Sequence, residues 1–206
     1  MSKKKKKQPE PVPTILCCDI EATCWAEPKD QPPGQRNEII EMGFATITLP
    51  DLNISNPVSI LVKPAHSKVS PFCTKITTLT QELVDTGMPY KDVCETLIEQ
   101  VHSKQIPWMA YSHYDRKQIQ IQCQNDKVPY PFGAGYTNLK HQFATMMGLK
   151  KEVGIVEALK MMGMEFIGTR HRAADEAYNI ARLMVEMYSR VRKGNDDGNA
   201  TQTEEK

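Results

Sequence analysis

The chain predicts an α/β fold, a mixed β-sheet flanked by α-helices. Short apolar runs rich in β-branched residues crowd its first third. Longer stretches with apolar residues at helical spacing fill the remainder, and one strand-like run interrupts them. A meander of strands followed by helices interleaved with a strand gives a mixed sheet covered by helices.

The first strand is read over Thr14 to Ile20, with Pro28, Pro32, Pro33 and Gly34 marking the loop after it. Glu38 to Leu49 is the second strand and Pro57 to Val62 the third, joined by a turn at Asp51-Leu52-Asn53. Thr78 to Thr86, closed by Gly87, reads as a short helix. Tyr90 to Ser103 places Val93, Cys94, Leu97, Ile98 and Val101 on one helical stripe. Pro107 to Tyr111 is a fourth strand, followed by a helix over Arg116 to Gln124. Two more helices are read over Asn138 to Gly148 and Val153 to Met162. The last runs from Asp175 to Arg192 with the stripe Ala177, Ile180, Ala181, Met184, Val185 and Tyr188.

The 206 residues allow one domain, at most two, and a core that needs no staples. Lys plus Arg is 26 and Asp plus Glu is 25, a net charge of +1, which excludes a protein that coats nucleic acid by bulk charge. The charge is uneven. Residues 1–10 carry +4 from Lys3 to Lys7 and Glu10, and residues 194–206 carry −3. Segments 1–12 and 194–206 lack apolar residues that could pack and read as disordered tails around a domain at 13–193. The Lys run suits a nuclear address, an attraction to phosphates or a solubilising tail equally well. No apolar run is long enough for a membrane helix, and none follows the Lys run as in a secretory signal. The six cysteines form no C-x-x-C pair and read as buried thiols of a cytoplasmic or nuclear protein. The methionines read as core filling.

Acidic residues carry the chemistry. Asp19 and Glu21 stand at i and i+2, on one face of the first strand's end. Two carboxylates there repel each other and resist desolvation, which a divalent cation between them would relieve; a strand ending at solvent would also tolerate them. Asp115 follows the fourth strand and opens a helix, as a site residue or an N-cap. His171, with Asp175 and Glu176, stands at the start of the last helix, as a general base or a solvent-facing residue. These groups lie at the ends of elements, where α/β folds build sites.

The string Asp19-Ile20-Glu21-Ala22-Thr23-Cys24 resembles the first motif of the DEDDh 3′→5′ exonucleases of the RNase T and DnaQ-like superfamily, most closely the Eri-1/KapD branch. Asn37 to Gly43 resembles that family's second strand. Ser70 to Cys73 followed by Ile76 to Thr80 resembles its substrate-side helix segment, Tyr111 to Asp115 its second motif, and Gly168 to Arg182 its third. The resemblance runs in order over residues 14 to 190. It implies an RNase H-like fold with a five-stranded mixed sheet. One position departs: where the family places its last metal-binding aspartate, five residues after the histidine, this chain has Glu176, with Asp175 one step early. At about 100° per residue, Glu176 lies roughly 110° from the centre of the apolar stripe and Asp175 roughly 150°, which favours Glu176 slightly and leaves both open.

The resemblance further implies a two-metal phosphodiester hydrolase using Mg²⁺ or Mn²⁺, hard cations suited to an all-carboxylate site. Asp19 would bridge both ions, Glu21 with Glu176 or Asp175 would hold the first, Asp115 would act through bound water, and His171 would be the general base. The implied substrate is single-stranded nucleic acid, RNA favoured, shortened from its 3′ end to 5′-mononucleotides. Ala22, Thr23, Trp25, Leu79 and Thr80 are the substrate-side candidates, Trp25 doubling as a loop anchor. The Asp175/Glu176 irregularity keeps open a catalytically weak nucleic-acid-binding or regulatory protein, and a DNA-trimming exonuclease is a further alternative.

Overall fold

The computed structural model describes residues 13–201, with side chains as far as Arg192. The chain runs β1 (Thr14–Ala22), a 3₁₀ turn at Pro28–Asp30, β2 (Ile39–Thr48), β3 (Asn53–Ile54), β4 (Val58–Lys63), α1 (Pro71–Thr77), α2 (Gln81–Val84) and β5 (Met88–Pro89). Then follow α3 (Tyr90–Glu99), β6 (Trp108–Ala110), α4 (His113–Asp126), β7 (Tyr136–Asn138), α5 (Leu139–Met146), α6 (Ile155–Met161) and α7 (Ala173–Thr201). The sheet order is β5-β4-β2-β1-β6-β7, with β3 on β2. β1 pairs antiparallel with β2 and parallel with β6. The α/β class is as the sequence predicts. The sheet has seven strands instead of five because β3 and β5, two residues each, add pairs at its margin.

Strand alternation divides the core. Leu16, Cys18 and Ile20 of β1 meet Val93, Cys94 and Leu97 of α3 and Ile119 and Cys123 of α4 on one face. Cys17 of β1, Ala45 and Ile47 of β2 and Met109 of β6 meet Phe143, Leu159, Ile180 and Leu183 of α5, α6 and α7 on the other. Asp19 and Glu21 share the parity of Cys17, so they continue the face that α7 covers.

Three local readings are corrected. The helix expected at 78–86 is only the short α2, because Thr78 takes a left-handed φ of 64° as the C-cap of α1 and Thr80 caps α2 by accepting the Leu83 N–H at 3.2 Å. α4 starts at His113, capped by the Ser112 side chain, which accepts the Tyr114 N–H at 3.1 Å. α7 continues to Thr201, past the expected end at Arg192 and into the tail expected to be disordered; an established helix extends at one hydrogen bond per residue fixed. The Lys-rich segment 1–12 and residues 202–206 lie outside the described residues. No described helix is long and apolar enough to cross a membrane.

Gly43 sets the approach of α7. It lies opposite Asp19 in the β1–β2 register, and a Cβ there would fall 1.9 Å from the Ala173 carbonyl carbon and 2.0 Å from its oxygen. The first turn of α7 therefore rests directly on β2. Gly43→Ala must push α7 off the sheet, and a loss of about 3 kcal/mol or more is expected from the urea unfolding midpoint; wild-type stability would show that this contact yields freely.

Candidate active site

Residues from four elements meet in one cleft. Asp19, Ile20 and Glu21 come from β1, Tyr111 and Ser112 from just after β6, Tyr114 and Asp115 from the first turn of α4, His171 from the loop before α7 and Glu176 from the first turn of α7. The cleft, about 210 Å³, opens at the C-terminal ends of the parallel strands β1 and β6, where open α/β sheets leave a crevice.

Burial and mutual repulsion mark the carboxylates. Asp19 is held well above the usual carboxylate range, first by burial and then by Asp115, Glu21, Glu176 and Glu41. Glu21 is pushed up to about 8 by burial, with Glu176 and Glu41 adding to it. Asp115 is pushed up to about 6 by burial, against hydrogen bonds from backbone N–H groups and from Ser112 Oγ, 3.4 Å from Oδ2. Among the described residues no lysine or arginine pairs with Asp19, Glu21 or Asp115.

The departure in the third motif has a geometric answer. Glu176 is 7% exposed and lines the cleft, and its Oε1 accepts the His171 N–H at 3.2 Å and Arg170 Nε–H at 3.0 Å. Asp175 turns away. Its Oδ2 accepts the Thr169 N–H at 2.7 Å, and its carboxyl fills the space where a Gly168 side chain would stand. Asn179 holds the same loop, accepting the Ile167 N–H at 3.1 Å and donating to Ile167 O at 2.7 Å. The loop delivers His171 in a left-handed conformation, φ 58°, with Nδ1 4.0 Å from Glu21 Oε1. For a side chain other than glycine this backbone is strained, a feature that gathers at functional sites.

Sequence reasoning missed the supports of this cleft. Glu41 faces Glu21 across the β1–β2 register and is fully buried. Burial acts to raise it, yet it is lowered, because Arg172 Nε and Nη2 donate to it at 3.1 and 2.8 Å along with the Ala173 N–H at 3.0 Å and the Ser59 hydroxyl. Glu41 thereby ties the start of α7 to the sheet. The available signal was a charged residue inside an otherwise apolar strand, two before a glycine. Arg170 and Tyr114 were missed as well.

The substrate-side candidates divide. Thr23 is fully buried, its Oγ1 donating to Arg36 O at 3.0 Å and accepting the Glu38 N–H at 2.9 Å, so it braces the loop after β1. Leu79 is fully buried with Ile40, Cys73 and Val84, drawn inward by the break after α1, and offers no face to a nucleotide. Ala22 is 6% exposed, Thr80 is engaged in capping α2, and Trp25 is half-buried. The tightest His and carboxylate group among the described residues, Glu38, His66 and Asp126, includes none of the expected ligands and involves the far end of α4 from Asp115, with Arg36 bridging Glu38 and Asp126.

Acids from the end of β1 and the first turns of α4 and α7 thus cluster beside one end of a mixed sheet. Residues 16–184 match the Exonuclease (RNase_T) family model, and the chain belongs to that family. It is 28% identical over 183 residues to 3′-5′ exoribonuclease 1 of Rattus norvegicus, covering 84% of this chain and 52% of that one. It is 26% identical over 171 residues to the probable 3′-5′ exonuclease KapD of Bacillus subtilis, covering 82% of each. The chain thus spans about half the length of the exoribonuclease it matches. Its structure is similar to the nuclease domain of 3′hExo, a DEDDh family member bound to rAMP, with TM-score 0.77 and 26% identity over 87% of this chain and 94% of that one.

The raised carboxylates fix a pH dependence for the cation-free protein. A group whose folded pKa lies above its unfolded value stabilises most below the unfolded pKa, and that stability is lost as pH rises through the folded one. For Glu21 the window runs from its ordinary 4.5 to about 8. In EDTA the melting temperature is expected to fall across that window, and Glu21→Gln to flatten the fall; a flat wild-type profile would show that the carboxylates do not repel.

Proposed function

We propose that the chain is a metal-dependent 3′→5′ exonuclease acting on single-stranded nucleic acid, RNA in preference, and releasing 5′-mononucleotides. The observation that carries the reading is the convergence of Asp19, Glu21, Asp115 and Glu176 with His171 in one cleft. The donor set is oxygen-rich and carries more negative charge than its surroundings offset, which fits hard divalent cations, two Mg²⁺ or Mn²⁺. Asp19, Glu21, Asp115 and Glu176 would hold them, while Asp175 is spent on the Thr169 backbone. The chemistry such ions supply is neutralisation of the phosphodiester and a lowered pKa for attacking water.

The chain's own groups do the remainder. His171, about half exposed at the cleft mouth, accepts the proton of the attacking water, and the Glu176 carboxylate holds its backbone N–H. Tyr114, exposed at the cleft rim, offers a ring to the terminal base. RNA is favoured because the curated relative is named an exoribonuclease and the similar nuclease domain holds rAMP. The six free thiols suit a reducing compartment, and we place the protein's action in the cytoplasm.

One observation favours a binding protein on the same fold: the Arg170 guanidinium already engages Glu176, the residue that replaces the family's aspartate. Digestion of matched 5′-labelled single-stranded RNA and DNA in Mg²⁺, Mn²⁺ or EDTA separates these readings. The expected result is a metal-dependent ladder shortening from the 3′ end, faster on RNA, lowered about 100-fold or more by Glu176→Ala, since loss of a metal ligand removes several kcal/mol of transition-state stabilisation. Asp175→Ala, which touches only the loop, is expected to stay within about tenfold of wild type. Binding without shortening in either metal would leave the non-catalytic reading.

A further inference from the structure

A second depression adjoins the cleft. It is an open groove of about 810 Å³ between the first turn of α4 and the exposed face of α5, lined among others by His113, Arg116, Tyr136, Asn138, His141 and Gln142. The two depressions share one helical turn. Ser112, Tyr114 and Asp115 line the cleft, and His113 and Arg116 line the groove. One helical turn rises about 5.4 Å, so the two depressions lie side by side along α4. Tyr136 ties them together, its hydroxyl donating to Ser112 O at 2.8 Å while its ring lies under Arg116, 4.8 Å from ring centroid to Cζ, and near His113, 5.7 Å between centroids.

The electrostatics of the two are opposite. Four carboxylates line the cleft, whereas no carboxylate lines the groove, which carries Arg116 and two histidines. Glu152 pairs with His141 at 3.3 Å and with Lys140 at 3.8 Å on the α5 side, so among the described residues lining the groove Arg116, on the side nearest the cleft, is the cation without a carboxylate partner. A cationic channel with an aromatic floor is how single-stranded nucleic acid is held without sequence preference, by its backbone and its base faces.

Resting on the exonuclease reading, we propose that this groove is the track for the nucleotides 5′ to the scissile one, with Arg116 on their phosphodiester backbone. The strand then leaves the cleft over α4 and α5. Affinity grows with strand length beyond the terminal residue, and its salt dependence carries a contribution from Arg116.

Fluorescence anisotropy of a 5′-fluorescein-labelled uridine 12-mer, with the full chain in Ca²⁺, tests this directly. Unlabelled uridine 12-mer and UMP serve as competitors. Arg116→Gln should weaken the 12-mer about three- to tenfold and reduce the slope of log K against log salt by about 0.7, the value for one lost phosphate contact to a single strand. UMP, which reaches only the cleft, should compete within about twofold of its wild-type strength. Arg116→Lys should restore most of the slope, which a purely structural loss would not allow, and thermal melting of each variant checks the fold. Equal weakening of the 12-mer and UMP, or an unchanged slope in Arg116→Gln, overturns the proposal while leaving the exonuclease reading in place. If wild type binds neither ligand, both fall.

Discussion

Mutual crowding of acidic side chains is the constraint on which this structure turns. Asp19, Glu21, Glu41, Asp115 and Glu176 crowd the end of β1, and burial removes the water that would screen them. Two of the five have arginine partners within the described residues. Arg172 and the Ala173 N–H satisfy Glu41, and Arg170 reaches Glu176. Asp19 has no such partner among the described residues and Glu21 has only His171, at 4.0 Å; burial and the neighbouring carboxylates hold both above the usual carboxylate range. Groups so perturbed gather at functional sites, and a divalent cation, as proposed above, would offset their repulsion.

The rest of the architecture serves that arrangement. The parallel pairing of β1 with β6 puts Asp19, Glu21 and the start of α4 at the same end of the sheet. Gly43 lets α7 lie against β2 beside Asp19, and Glu41 fixes α7 there through Arg172. Asp175 and Asn179 then tie down the loop that presents His171. The site is thus built from rigid elements, with one strained residue, His171, at the mouth of the cleft.

Much of this was legible in the residues. The apolar runs named β1, β2, β4 and β6, and the D-x-E spacing placed two carboxylates on one face, because strand periodicity is strict. β7 was missed since three residues, Tyr136 to Asn138, carry too little pattern to stand out from the glycine-rich turn before them. The break at Thr78 was missed because a left-handed φ at a threonine has no local signature; only packing of Leu79 into the core demands it. The choice between Asp175 and Glu176 could be only leaned upon from helix angles, because it depends on a loop that folds back through Gly168. Glu41 and Arg172, 131 residues apart, pair through tertiary structure alone.

The cation site proposed for these carboxylates can be tested on the protein alone. Titration of Mn²⁺ into the protein at neutral pH, followed by the loss of the free-ion electron paramagnetic resonance signal, tests it without reference to any substrate. Saturable binding of two ions per chain is expected, lost in Asp19→Asn, with the fold of that variant unchanged by circular dichroism. No binding in wild type, or binding undiminished in Asp19→Asn, would contradict it.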